Sequence, residues 1–166
     1  MKTVGIVGGS GYTGGELIRL IINHPKLEIK FIYSTQFCGD HLSKVHKDLL
    51  GITKLKFTNI SEKDIDVLFL CAGHGNSLNF LKKNKFSSKT KIIDLSNDFR
   101  IIKNNEFNGY KFIYGLPELN KEKIKSAKAI SNPGCFATAI QLSLIPLAKQ
   151  DLIKNTVHIN ATTGST

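Results

Sequence analysis

The stretch Lys2-Thr3-Val4-Gly5-Ile6-Val7-Gly8-Gly9-Ser10-Gly11-Tyr12-Thr13-Gly14 decides how the rest of the chain is read. Lys2–Val7 is a short β-branched run, a strand candidate. Gly9-Ser10-Gly11-Tyr12-Thr13-Gly14 spells G-x-G-x-x-G directly after it. From Thr13 to Asn23 the spacing of Leu17, Leu20 and Ile21 is helical, and His24-Pro25 stops the helix. Strand, glycine turn and helix in that order form the opening unit of a dinucleotide-binding fold. The glycines permit a tight turn, close approach of backbone N–H groups to a pyrophosphate, and close packing of helix on strand. The helix N-terminus adds its partial positive charge. Gly9, Ser10, Gly11, Tyr12, Thr13 and Gly14 are therefore the expected cofactor loop.

Outward from this unit the alternation continues. Leu27–Tyr33 reads as a second strand, and a loop-rich stretch runs from there to about Asn59. Asp66–Cys71 is a continuous apolar run, as expected of a strand buried on both faces. Asn76–Asn84 reads as helix, Lys91–Leu95 and Ala129–Ser131 as strands, Phe136–Lys149 as a strongly apolar helix, and Thr156–Asn160 as one more strand. The four prolines are expected at punctuation points. This pattern predicts an α/β fold, a Rossmann-like doubly wound and mostly parallel sheet. Residues 1–150 form its dinucleotide-binding domain, and residues 151–166 begin a second domain. Ligands bind such sheets at the carboxyl ends of the strands.

The end of the second strand bears on which dinucleotide binds. An NAD site usually places an Asp or Glu there for the ribose 2′-hydroxyl. Ser34-Thr35-Gln36 stand there instead. They repel no 2′-phosphate and can donate hydrogen bonds to one, which favours NADP. No arginine is adjacent, so Lys44 or Lys47 is expected to supply the charge.

Composition narrows the classes. With 41% hydrophobic and 22% charged residues in a chain of 166, a folded domain is expected rather than disorder. No apolar run approaches the roughly 18 residues of a membrane span, and the N-terminus is too short and strand-like for a secretory signal. A soluble cytoplasmic protein without a membrane partner is expected. The net charge is +10, yet the lysines are scattered, only Arg19 and Arg100 are arginine, and no block of five or six like charges occurs. A nucleic-acid partner is not expected. Cys38, Cys71 and Cys135 form no C-x-x-C pair, which argues against a disulfide framework or a metal site.

Each cysteine is then judged alone. Ser131-Asn132-Pro133-Gly134-Cys135-Phe136-Ala137-Thr138-Ala139 ends a strand, turns on proline and glycine, and opens a helix. Cys135 falls in the first turn, where unpaired N–H groups and the helix dipole stabilise a thiolate. That makes it the expected nucleophile. Cys71 closes an apolar strand and reads as core. Cys38 sits in a loop.

Five segments, in this order, carry a resemblance: Gly8–Gly14, Gly73-His74-Gly75, Asp94-Leu95-Ser96-Asn97-Asp98-Phe99-Arg100, Tyr114-Gly115-Leu116-Pro117-Glu118-Leu119, and Asn132-Pro133-Gly134-Cys135. The chain resembles the N-acetyl-gamma-glutamyl-phosphate reductases of arginine biosynthesis, within the semialdehyde dehydrogenase group. The resemblance implies NADPH-dependent reduction of an N-acyl-glutamyl phosphate to its semialdehyde. The cysteine matching Cys135 attacks the acyl phosphate, phosphate leaves, a thioester forms, and hydride transfer releases the aldehyde. It also implies that His74 borders the cofactor and that Arg100 and Asn132 line the substrate site. Arg100 either grips a substrate carboxylate or phosphate bidentately or forms a salt bridge with Asp98 or another carboxylate. Tyr114–Glu118 resembles another wall segment. The implied partners are an acyl-phosphate substrate and phosphate.

Members of this family are about twice as long. Their second domain makes the dimer interface and supplies a histidine as general acid/base, and no histidine here matches it. His24, His41, His46 and His158 show no ligand-like spacing. The chain is therefore expected to be an N-terminal fragment, inactive alone, of a homo-oligomeric enzyme. The alternatives are an aspartate-semialdehyde dehydrogenase-like enzyme and a nucleotide-binding module without catalysis.

Overall fold

Val67–Leu70 shows in four residues how the sheet is built. Leu68 and Leu70 join one hydrophobic cluster and Val67 and Phe69 the other. Side chains alternate across a strand, so a run that is apolar throughout must be covered on both faces. The structure, a computed structural model, describes residues 1–162. In chain order its elements are β1 (Lys2–Val7), α1 (Tyr12–Ile22), β2 (Leu27–Tyr33), β3 (Val67–Leu70), α2 (Asn76–Lys83) and β4 (Lys91–Asp94). There follow β5 (Glu106–Phe107), β6 (Tyr110–Tyr114), α3 (Pro117–Ser126), β7 (Ala129–Ser131) and α4 (Cys135–Lys149).

The strands form one sheet in the order β2-β1-β3-β4-β7-β6-β5. All neighbours are parallel except β5 and β6. From β1 the chain steps first to β2 on one side and later to β3 on the other. That reversal is a topological switch point, and it leaves a crevice at the carboxyl ends of β1 and β3. Helix α1 buries Ile18 and Ile21 against Val4, Ile6 and Ile32 on one face. Helix α2 buries Phe80 and Leu81 against Leu68, Leu70 and Ile92 on the other. The doubly wound, mostly parallel sheet expected from the alternation is thus present.

Several local expectations differ. The hairpin of β5 and β6 departs from the expected alternation, and the lysine-rich Lys121–Lys125 lies on the solvated helix α3. Asn108 and Gly109 both have positive φ, 47° and 79°, and turn β5 into β6. An Asn-Gly pair between short apolar runs is the sequence signal for such a hairpin. Thr156–Asn160 is not a strand: these residues are exposed and unpaired, because no described strand lies beside them to take their N–H and C=O groups. Pro146 is not punctuation but lies inside α4, where it withholds an N–H from the helix ladder. Residues 163–166, the end of the expected second-domain segment, lie outside the described residues.

Candidate active site

The parallel strands bring six loops to one edge of the sheet. They follow β1, β2, β3, β4, β6 and β7 and hold almost every residue singled out from the sequence. From β1 to β7 is three strand spacings, roughly 14 Å.

The glycine loop is shaped by contacts that exclude side chains. Gly8 has φ 79° and donates its N–H to the Tyr33 carbonyl at 3.0 Å. A Cβ on Gly14 would overlap the Gly8 carbonyl oxygen, and one on Gly9 would overlap the Ile32 side chain. Gly11 precedes the first turn of α1, and no side chain caps that helix. Its first-turn N–H groups therefore remain for a ligand. The Ser10 and Ser34 hydroxyls hydrogen-bond at 3.2 Å and tie the loop to the end of β2.

One contributor had no signal in the sequence. His46 is buried 37 residues beyond the loop, with Nε2 2.8 Å from the Gly9 carbonyl oxygen. The acceptor is a carbonyl, so Nε2 carries the proton and donates. No local spacing could have shown this.

Between the end of β2 and helix α2 lies a hollow of about 480 Å³. Ser10, Ser34, Thr35 and Gln36 line one side, and Asn76, Asn79 and Lys83 the other. The hollow meets the glycine cradle at Gly8 and Ser10, two residues before the uncapped start of α1, an arrangement that suits a dinucleotide. The lysines expected to serve it are elsewhere. Lys44 is paired with Asp40 at 2.8 Å, and Lys47 lines a separate depression with Glu16 and Asp48.

The loops after β3 and β4 hold each other. Asn97 donates its N–H to His74 Nδ1 at 3.1 Å, so His74 bridges two loops and is not among the residues lining the hollow. Asp98 accepts from Gly75 N at 2.6 Å and Leu78 N at 3.0 Å, a carboxylate at the positive end of α2. Asp94 is fully buried; burial pushes its carboxyl up, against hydrogen bonds from the Ser96 N–H and hydroxyl.

Arg100 forms no salt bridge with Asp98. Its Nε donates to the Asn132 carbonyl at 2.8 Å and its Nη2 to the Leu95 carbonyl at 2.9 Å. Asp98 is already committed to α2, and the guanidinium fork instead spans two strand ends. A Cβ on Gly134 would lie 3.0 Å from Arg100 Nη1, so the cation sits against the turn that carries Cys135. Asn132 is exposed; its N–H donates to the Asp94 carbonyl at 2.7 Å.

Cys135 is the first residue of α4 and is exposed. No side chain caps this helix start either. Cys71 differs: burial first, then the nearby Asp94 carboxylate, push its thiol up to about 12. It stays protonated. Tyr114–Glu118 is largely architectural: Gly115 passes close against Ile130, Leu116 is buried, and Pro117 opens α3. Among the described residues no three His, Cys, Asp or Glu side chains converge to hold a metal ion, and no helix is long and apolar enough to cross a membrane.

Comparison with known proteins agrees with this geometry. The family described as "Semialdehyde dehydrogenase, NAD binding domain" matches residues 3–127. N-acetyl-gamma-glutamyl-phosphate reductases from Flavobacterium johnsoniae and Christiangramia forsetii are 59% and 54% identical over the whole chain, which covers 51% and 50% of their lengths. The chain thus spans about half the length of the curated relatives it matches. Two solved structures share the fold at low identity. An aspartate semialdehyde dehydrogenase with NADP from Candida albicans gives a TM-score of 0.63 at 14% identity, over 92% of this chain and 48% of its own. Aspartate semialdehyde dehydrogenase II from Vibrio cholerae gives 0.58 at 17%, over 90% and 47%. The glycine cradle, the crevice at the switch point and the sequence match together make this chain a member of the semialdehyde dehydrogenase NAD-binding domain family.

Proposed function

We propose that this chain supplies the nucleophile and cofactor site of an NADPH-dependent reductase. The substrate is an N-acyl-glutamyl phosphate, N-acetyl by the names of its relatives, and the product is the semialdehyde, as in arginine biosynthesis. The observation that carries the proposal is an exposed thiol at the uncapped start of α4, on the same sheet edge as the glycine cradle.

The Cys135 sulfur attacks the acyl carbon of the substrate. An S–C bond forms, the bond from that carbon to the phosphate oxygen breaks, and phosphate departs with the electron pair. A nicotinamide cofactor held at the glycine loop would supply hydride chemistry for the resulting thioester carbon. Cys135 then leaves the reduced carbon as a thiolate and frees the aldehyde. The first-turn N–H groups of α4 favour that anion at both ends of the cycle. Arg100 holds the turn of Cys135 through the Asn132 carbonyl and places a positive charge beside it. Gly9–Gly14 would hold the cofactor's pyrophosphate. Ser34, Thr35 and Gln36 face the adenosine end with no carboxylate to repel a 2′-phosphate, which supports NADP over NAD. His74 and Asn132 flank the reacting end. The general acid/base belongs to the half of the longer relatives that this chain does not span.

The test is acyl transfer without the dinucleotide. Incubation with N-acetylglutamyl phosphate releases one equivalent of phosphate and leaves one acyl group on Cys135, read by mass spectrometry. The Cys135→Ser variant gives no thioester. Absence of acylation in the unmodified protein contradicts the proposal. Steady-state turnover by this chain alone should be negligible; measurable turnover would show that no further acid/base is needed.

A further inference from the structure

Among the described residues, the hollow beside the glycine loop has no carboxylate in its lining, and Lys83 is the one charged residue there. Asn76, Asn79 and Lys83 stand at i, i+3 and i+7 of α2 and so share one helix face. That face looks across at Ser34, Thr35 and Gln36. Lys83 is exposed and makes no salt bridge to a described residue, whereas Lys44 is held by Asp40. Lys83 also sits in the last turn of α2, the negative end of the helix dipole, where a cation is favoured.

Resting on the NADP reading above, we propose that Lys83 is the cation that binds the 2′-phosphate, reaching from α2 across the hollow while Thr35 and Gln36 donate from the β2 side. A phosphate monoester carries about 1.5 to 2 negative charges at neutral pH and is bound well by a lysine point charge. The residue thereby sets the choice between the two dinucleotides, and it comes from a helix that sequence distance from β2 would not suggest.

The experiment is fluorescence titration of the protein with NADPH and with NADH, for wild type, Lys83→Ala, Lys83→Glu and the control Lys44→Ala. The proposal expects Lys83→Ala to weaken NADPH binding about tenfold or more. Lys83→Glu should weaken it further. NADH binding should be unchanged in Lys83→Ala, and Lys44→Ala should keep the wild-type ratio. NADPH binding should also fall with added salt in wild type more steeply than in Lys83→Ala. Equal weakening of both dinucleotides, or of neither, overturns the role of Lys83 while leaving wild-type preference for NADPH intact. A wild-type protein that binds NADH as tightly as NADPH overturns the NADP reading and this inference with it.

Discussion

A single methyl group at residue 14 tests the cofactor loop more sharply than a charge reversal would. The Cβ of Gly14→Ala overlaps the Gly8 carbonyl oxygen and crowds the Gly9 Cα, both backbone atoms that no rotamer change can move aside. The loop must shift, at about 1–3 kcal/mol of stability, and NADPH binding should weaken severely. Gly11 is the control: its nearest neighbour to an added Cβ is the Gly8 oxygen at 3.6 Å, an ordinary contact. Gly11→Ala should leave stability within about 1 kcal/mol of wild type. Urea denaturation of both variants decides the matter; equal loss of stability would contradict the loop's geometry. The glycine turn, the end of β2 at Ser34 and the helix start at Cys135 were legible in the sequence because these positions depend on local backbone. His46 was not, because it reaches Gly9 only through tertiary folding. Lys44 and Lys47 were misplaced for the same reason: nearness to β2 along the chain is not nearness to the hollow.

Among the elements, β1, β2, β3, β4, β7, α1, α2 and α4 were readable because buried parallel strands are apolar runs and their helices show a 3.6-residue period. Strand β5 is only two residues long and α3 buries no side chain, so neither imposes a hydrophobic pattern. Strand β6, with its buried Phe112 and the Asn108-Gly109 turn before it, carried a signal that the alternation of longer elements did not need. The expected strand at Thr156–Asn160 has the right composition but no neighbouring strand among the described residues. Strand pairing also has an electrostatic component at the start of β1. Asp66 accepts hydrogen bonds from Thr3 N at 2.9 Å and from Lys2 Nζ at 2.6 Å, joining the start of β1 to that of β3. These partners, Lys2 foremost and then Thr3, hold its carboxyl down at about 2. A depressed carboxylate stabilises the fold above its ordinary value of 3.8, and that contribution is lost as pH falls through about 2. Thermal melts of wild type and Asp66→Asn should therefore differ near neutral pH, wild type being the more stable, and converge toward pH 2. A gap that persists unchanged at pH 2 would remove the carboxylate from the account.

For the whole molecule, α4 is the element with unfinished business. It is apolar around most of its circumference yet buries no residue fully, and Phe136, Leu142 and Leu147 are 41–44% exposed. An all-round apolar helix normally lies inside a larger protein. The relatives are about twice as long as this chain, and we infer that their additional half covers α4 and completes the site around Cys135. The three cysteines sample the molecule differently. Cys135 is exposed at a helix start, Cys38 is exposed in a loop without such support, and Cys71 is half-buried and held protonated just after β3. The most direct measurement is the alkylation rate of each thiol by iodoacetamide in the folded protein at neutral pH, resolved by peptide mass spectrometry. Cys135 should react fastest, Cys38 more slowly, and Cys71 only on unfolding. If Cys135 is modified no faster than Cys38, the helix start does not activate it and the proposed chemistry fails.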